Sequence, residues 1–156
     1  MAHYFFDTSA LAKRYAQEPG TDVVDDLVER DDDTIVITSL SVVELASALR
    51  RKRNRGSLSP DDVDGLLTIF FEEALETFVV VPLDETRYET ALDIVLEDDL
   101  RTLDSLQLAA ALDIGADLEL TFVSADRDLN EVATLRGLET LDPAAQDSPT
   151  TDSDDR

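Results

Sequence analysis

The feature that most constrains the fold of this chain is the alternation of short apolar runs with longer segments of helical periodicity. The runs are rich in β-branched and aromatic residues and have the length of buried strands. They span residues 3–6, 34–38, 78–81 and 120–124, with a weaker fifth run at 138–141. Because strands that alternate with helices pair in parallel, the sequence predicts an α/β fold with a mostly parallel, four- to five-stranded sheet flanked by helices.

Two helix starts have clear local signals. Ser59 followed by Pro60 and two acidic residues predicts an N-cap, and Asp84 predicts another. The segment 103–114 is apolar nearly all round, which predicts a helix that is buried on every side.

One domain accounts for a length of 156 residues. We expect it to occupy residues 1–142, because the segment 143–156 is small, polar and acidic and is predicted to be disordered. The absence of cysteine excludes disulfides and thiolate metal sites. No apolar run has membrane-spanning length and the start of the chain lacks the regions of a signal peptide, so we expect a cytoplasmic protein.

Acidic residues outnumber basic residues by 36 to 13, which gives a formal net charge of −23. Because the apolar periodicity is regular, we expect the excess acid to coat a folded surface rather than to keep the chain unfolded. A halophilic-type acidic surface of this kind suggests, as a hypothesis, adaptation to a high-salt cytoplasm that screens self-repulsion.

The same charge argues against nucleic-acid binding, because phosphate backbones select for lysine and arginine. Bound divalent cations weaken that objection, and five of the thirteen basic residues fall in the segment 50–55. Within it, Arg50, Arg51, Lys52 and Arg53 are candidates for contacts with RNA phosphates. The alternative is a solvated helix end stabilised by the helix dipole.

Acidic side chains stand where the predicted strands end. Asp7 follows the first run directly, Asp126 lies two residues beyond Ser124 at the end of the fourth, and Asp104 lies near the start of the buried helix. Ligands bind beyond the carboxyl ends of parallel strands, and carboxylates are preferred ligands of Mg²⁺ and Mn²⁺. An acid that ends a buried strand is costly unless it is paired or bound to metal, which favours a function for Asp7.

Structural roles could explain the other acids. Asp104 with Gln107 three residues later has the spacing of a capping box, and Asp126 could cap its own helix. Ser41 and Glu44 have the same spacing, and Glu44 lies off the apolar stripe of its helix, so the residues alone favour a solvent-facing glutamate. The pattern leaves these alternatives open.

Four segments together resemble the PIN-domain pattern, in the form found in VapC-type toxins. They are residues 4–15 (YFFDTSALAKRY), 38–46 (TSLSVVELA), 100–110 (LRTLDSLQLAA) and 122–129 (FVSADRDL). The resemblance extends from residue 4 to about residue 141, and the order of all four segments makes it specific. Leu103 and Gln107 stand where Pro and His are common in the family, and neither departure changes an acid.

The resemblance implies a metal-dependent endoribonuclease that hydrolyses RNA phosphodiester bonds as the toxin of a type II toxin–antitoxin pair. It implies four catalytic acids on Mg²⁺ or Mn²⁺ with three supporting side chains: Asp7, Glu44, Asp104 and Asp126, supported by Ser9, Ser124 and Asp128. The implied partners are an RNA substrate, a cognate antitoxin and a second copy of the chain in a homodimer.

Three alternatives remain. A PIN nuclease could act in RNA processing instead of as a toxin. A haloacid dehalogenase-like phosphatase would use Asp7 as its nucleophile, but that family has a second acid two residues on, where this chain has Ser9. A non-catalytic acidic binding domain would bind neither Mg²⁺ nor Mn²⁺.

Overall fold

The computed structural model describes residues 1–145, and in this range five strands alternate with seven helices. The strands are β1 (His3–Phe6), β2 (Thr34–Thr38), β3 (Val79–Val81), β4 (Thr121–Val123) and β5 (Glu139–Leu141). The helices are α1 (Thr8–Tyr15), α2 (Thr21–Val28), α3 (Ser39–Asn54), α4 (Pro60–Glu76), α5 (Glu85–Asp98), α6 (Thr102–Gly115) and α7 (Arg127–Leu135).

The five strands form one sheet in the order β3-β2-β1-β4-β5, and each neighbouring pair is parallel. Strand β1 is central, with Tyr4 opposite Ile35 of β2 on one side and Thr121 of β4 on the other. The α/β fold predicted from the sequence is confirmed. The order of strands along the chain reverses between β1 and β4, which creates a switch point where their carboxyl ends meet.

Neighbouring residues of β1 enter two hydrophobic cores, one on each face of the sheet. Phe6 is buried with residues of α1 to α4, including Leu11 and Phe70. Phe5 is buried with residues of α5 to α7, including Leu108, and stacks on Phe122 with the ring centroids 5.7 Å apart. Successive strand side chains point to opposite faces, so a strand covered on both faces must be apolar throughout.

The helix starts confirm two predicted caps and correct two others. Ser59 and Asp62 form a capping box at α4, and the Asp84 carboxylate caps α5. Helix α3 begins earlier than the Ser41–Glu44 spacing suggests, because β2 runs directly into it and the Thr38 hydroxyl accepts the Ser41 N–H. Ser41 is therefore a buried residue inside the helix, and the capping box predicted there is wrong.

Helix α6 also begins earlier than the capping pattern at Asp104 suggests. It starts at Thr102 after Arg101, and no side chain caps it, so Asp104 lies inside the first turn. The burial on all sides predicted for residues 103–114 is confirmed for residues 105–111, whereas Leu103 is 48% exposed and residues 112–114 are partly buried. No helix within residues 1–145 has both the length and the apolar character needed to cross a bilayer.

The end of the described chain packs on the loop between α1 and α2. Pro143 is buried. Gly20 has a φ of 95°, and a Cβ atom there would lie 2.8 Å from the Pro143 carbonyl carbon. Glycine at this position therefore permits a close backbone approach. The tail predicted to be disordered lies, from residue 146 on, outside the described residues.

Candidate active site

A cleft of about 460 Å³ opens where the carboxyl ends of the central strands meet. Its walls come from the starts of α1, α6 and α7 and from the first half and the end of α3. The four acids predicted to be catalytic all line it: Asp7, Glu44, Asp104 and Asp126. The fold thus brings together side chains that are more than a hundred residues apart in sequence.

Asp7 is held at the base of the cleft by three hydrogen bonds. Its Oδ1 atom accepts from the Ser9 hydroxyl at 2.6 Å and from the Ala10 N–H at 3.1 Å, so Asp7 caps α1. Its Oδ2 atom accepts from the Ser124 hydroxyl at 2.8 Å. Both predicted supporting serines therefore contact Asp7 directly.

Burial dominates the protonation of Asp7. Its side chain is only 4% exposed, and the loss of water raises the pKa from 3.8 to about 6. Hydrogen bonds from Ser9, Ala10 and Ser124 oppose that rise, while the nearby charge of Asp104 adds to it. A buried carboxylate that is partly protonated near neutral pH is typical of functional sites rather than of structural caps.

The two serines also connect Asp7 to the loop after β4. The Ser9 hydroxyl accepts the Ala125 N–H at 3.0 Å, and the Ser124 hydroxyl accepts the Asp126 N–H at 3.0 Å. Each hydroxyl donates to Asp7 and accepts from that loop, so its orientation is fixed at both ends. The position of Asp126 relative to Asp7 is thereby fixed.

Glu44 faces the cleft and is not the solvent-facing glutamate that the spacing favoured. Its Oε1 atom accepts from the Thr8 hydroxyl at 2.9 Å and from the Gln107 amide at 3.0 Å. Gln107 is 2% exposed, and its amide is held by Thr38 and Ser41. The phase of α3 on the sheet therefore turns Glu44 inward, toward α1 and α6.

Asp104 lies half-buried beside the other acids. Desolvation raises its pKa, and the charges of Asp126 and Glu44 raise it further, whereas Arg101 lowers it. Mutual repulsion of this kind requires that the carboxylates lie close together in a poorly solvated place.

Asp126 has a structural role in addition to its place in the cleft. Its Oδ1 atom accepts the Leu129 N–H at 3.1 Å and caps α7, as the sequence allowed. Asp128 lies outside the main cleft, on a neighbouring hollow of about 300 Å³ that Asp104 and Asp126 also border.

The donor set fits a hard divalent cation in its chemistry, because it consists of carboxylate oxygens whose charges repel one another. Within residues 1–145, however, no three Asp, Glu or His side chains are arranged to hold a metal ion as they stand. The oxygens of Asp7, Glu44 and Asp126 accept hydrogen bonds from the protein instead. Because a carboxylate has about four lone-pair positions, these hydrogen bonds leave room for metal ligation, but metal binding would require the side chains to shift.

The basic segment contributes only in part to the cleft. Arg51 and Lys52 line it, as does Arg55, whereas the predicted candidates Arg50 and Arg53 do not. The helical phase of α3 explains the difference, because Arg51, Lys52 and Arg55 continue the face that carries Glu44, at spacings of seven, eight and eleven residues, and Arg50 and Arg53 lie off that face.

Besides Arg55, four further polar or charged side chains line the cleft that the sequence did not single out for function: Thr8, Lys13, Glu18 and Gln107. Lys13 lies one helical turn after Ser9, so the shared face of α1 could have revealed it. The sequence carries no comparable signal for Glu18, which lies in a loop.

Comparison with known families agrees with the resemblance seen in the sequence. The family model described as "PIN domain" matches residues 4–135, which include all four acids of the cleft. The chain belongs to the PIN domain family. This membership excludes the phosphatase alternative, and no curated protein matches the sequence.

Several solved structures share the fold of this PIN domain at low identity. VapC20 from Mycobacterium tuberculosis, described as a sarcin-ricin loop cleaving toxin, aligns with a TM-score of 0.64 at 14% identity, over 83% of this chain and 94% of the other. FitAcB from Neisseria gonorrhoeae aligns at 0.61 and 15% identity, over 90% and 97%. VapBC2 from Rickettsia felis, bound to a promoter DNA fragment, aligns at 0.63 and 16%, over 89% and 97%. At these identities the likeness shows the fold.

Proposed function

We propose that this PIN domain is a metal-dependent endoribonuclease. The observation that supports the proposal is the convergence of Asp7, Glu44, Asp104 and Asp126, from four separate elements, in one cleft at the switch point of the sheet. A set of close carboxylates, two of which (Asp7 and Asp104) have pKa values raised chiefly by burial, is costly to a fold and is suited to binding cations. Membership of the PIN domain family supports nuclease activity at this site.

We assign Asp7, Asp104 and Asp126 to the binding of Mg²⁺ or Mn²⁺, and Glu44 to a second ion or to the attacking water. A bound divalent ion would lower the pKa of water and stabilise the charge that develops on the scissile phosphate. Ser9 and Ser124 hold the Asp7 carboxylate in place. Asp128 would act at most from the neighbouring hollow.

We further propose that the protein is the toxin of a type II toxin–antitoxin pair and acts in the cytoplasm as a homodimer. The fold-level likeness to the toxin VapC20, and to FitAcB and VapBC2, supports the toxin part of this proposal. A partner that places a basic side chain into the acidic cleft would have complementary charge.

RNA cleavage by the purified protein tests the nuclease proposal. We expect total RNA to be cut with Mn²⁺ present, and not with EDTA or by the Asp7→Asn variant. Asp93→Asn, on the exposed face of α5, removes the same charge away from the cleft and should cleave normally. Calorimetry that showed no Mn²⁺ binding, together with intact RNA, would instead support an acidic binding domain.

Expression in cells tests the toxin proposal separately. We expect growth arrest that Asp7→Asn abolishes and that co-expression of the protein encoded by the neighbouring gene relieves. RNA cleavage in vitro without growth arrest would favour the alternative, a PIN nuclease of RNA processing.

A further inference from the structure

The only two lysines of the chain, Lys13 and Lys52, meet at one carboxylate. The Lys13 Nζ atom lies 3.2 Å from Glu18 Oε2, and the Lys52 Nζ atom lies 2.8 Å from Glu18 Oε1. The lysines belong to α1 and α3, and Glu18 lies in the loop after α1. These three residues are named the lysine triad below.

The lysine triad lies in the same cleft as the four acids. The Lys13 side chain is 7% exposed, Lys52 20% and Glu18 25%, so none of these charges is freely solvated. Although burial opposes it, hydrogen bonds from Lys52 and Lys13 lower the pKa of Glu18, which keeps the triad at a net charge of +1.

If these ion pairs served only to hold α1 against α3, a structural clamp of this kind would explain why they form but not why they lie in the cleft of the four acids. The chain has a net charge of −23 and only thirteen basic residues, and it nevertheless puts both lysines on the wall of the cleft that holds the four acids. A strand of RNA that places one phosphate among the acids needs cations nearby for the next phosphates, since carboxylates repel them. Lysine amines suit this task as point charges.

We propose that Lys13 and Lys52 bind a backbone phosphate of the RNA strand next to the scissile one, and that Glu18 competes with that phosphate for the two amines. The proposal rests on the proposed ribonuclease function. Without RNA, Glu18 pairs both lysines and keeps Lys13 from being a buried, unpaired charge. When RNA binds, the phosphate oxygens replace the Glu18 oxygens.

Competition by Glu18 leads to opposite expectations for two variants. Lys52→Met removes a phosphate ligand and should weaken RNA binding roughly three- to fivefold, as for a partly exposed charge pair. It should also reduce the slope of log affinity against log salt by about 0.7, the contribution of one phosphate contact on a single strand. Glu18→Gln removes the competitor and should tighten RNA binding, whereas a structural clamp predicts weakening or no change.

The test measures fluorescence anisotropy of labelled single-stranded RNA with the Asp7→Asn protein in Mn²⁺, so that binding is read without cleavage. The two variants are added to this background, and kcat and KM are measured for them in the otherwise native protein. Arg30→Met and Glu29→Gln are charge-matched controls. Both residues are exposed and lie in the loop before β2, at the amino ends of the strands and therefore opposite the cleft. Circular dichroism checks folding, and Lys52→Met preserves the Lys13–Glu18 pair if Glu18→Gln unfolds the chain.

The expected result is a higher KM for Lys52→Met, a lower KM for Glu18→Gln, a nearly constant kcat, and no change for either control. A folded Glu18→Gln protein that binds RNA no better than its parent would overturn the inference and leave the ribonuclease proposal intact. A native protein that neither binds nor cleaves RNA would overturn both. Variants that alter binding of a protein partner but not of RNA would also overturn the inference.

Discussion

Asp7 has two roles whose energetic effects oppose each other. As the cap of α1 it accepts the Ala10 N–H and two serine hydroxyls, which stabilises its charged form. As a buried charge beside Asp104 it is destabilised, and the net effect is a pKa of about 6. A carboxyl whose pKa is raised by folding destabilises the folded state once it ionises.

The stability of the metal-free protein should therefore depend on Asp7 and pH. Well below pH 3.8 Asp7 is protonated in both states, and as pH rises from 3.8 to about 6, where only the unfolded state ionises, the folded state loses roughly 3 kcal/mol. Asp7→Asn removes this loss, so in EDTA it should melt higher than the native protein above about pH 7 and nearly equally near pH 4. Thermal melts across pH measure the difference.

Asp93→Asn serves as the exposed control for these melts. Added Mn²⁺ should stabilise the native protein more than Asp7→Asn, because a ligand stabilises the state that binds it. An Asp7→Asn protein that melts lower than native at every pH would show that the hydrogen bonds outweigh the buried charge.

Gln107 connects Glu44 by hydrogen bonds to buried side chains at the end of β2 and the start of α3. Its amide nitrogen donates to Glu44 and Ser41, and its amide oxygen accepts from Thr38 at 3.0 Å. Because Gln107 is only 2% exposed and donates a hydrogen bond directly to Glu44, we infer that it acts by positioning Glu44 rather than by contacting substrate. We regard it as a positioning residue of the proposed reaction.

Gln107→Leu should lower kcat about 10- to 100-fold with little change in KM, because a misplaced Glu44 affects the reaction more than binding. Gln107→His keeps an N–H donor and should restore most of the activity, an outcome that a purely structural role does not require. Gln17→Leu on the exposed loop is the control. Steady-state RNA cleavage measures all three, and equal losses in the two Gln107 variants would contradict this role.

At the scale of elements, α1 connects the cleft to the rest of the fold. Residues of its first turn contact Asp7. Its last turn carries Lys13 and is hydrogen-bonded to α4. The Arg14 guanidinium makes two parallel bonds to the Glu73 carboxylate, at 3.0 and 2.9 Å. The Tyr15 hydroxyl donates to the same carboxylate at 2.6 Å. Glu73 is thus the main polar connection between these two helices.

Glu73→Ala should destabilise the protein by about 1–3 kcal/mol, less than the full effect of a buried ion pair because both side chains are 18–19% exposed. The loss leaves Arg14 and Tyr15 without their shared acceptor. Urea unfolding measures the change, with the exposed neighbour Glu72→Ala as the control. Similar effects of the two variants would show that the connection contributes nothing specific.

At the scale of the whole molecule, the net charge of −23 opposes the compact state. Within residues 1–145 six of the basic residues form ion pairs, and Arg14, Arg30 and Arg136 each contact two or more carboxylates. Most of the other acids outside the cleft are exposed, and they repel one another over distances that depend on the salt concentration.

Raising KCl from about 0.1 M to about 1 M shortens the screening length from about 10 Å to about 3 Å, so the melting temperature should rise. Sucrose at equal osmolarity, which does not screen charge, should stabilise less. A melting temperature that falls as KCl rises would count against the halophilic interpretation.

Much of this molecule follows from the sequence by itself, because strands, caps and helical faces are set by interactions between near neighbours. The apolar runs predicted all five strands, and Ser59 and Asp84 predicted their caps. The position of Asp7 after a buried strand placed it at the edge of the sheet where ligands bind.

Tertiary structure alone decided which side chains face the cleft, because the phase of a helix on the sheet depends on packing. It turned Glu44 inward to Gln107, 63 residues away, and put Arg51 and Lys52 but not Arg50 or Arg53 on the cleft wall. It also brought Glu18 between the two lysines. Hydrogen bonds and ion pairs between distant residues leave no periodic pattern in the sequence, so only the folded chain reveals them.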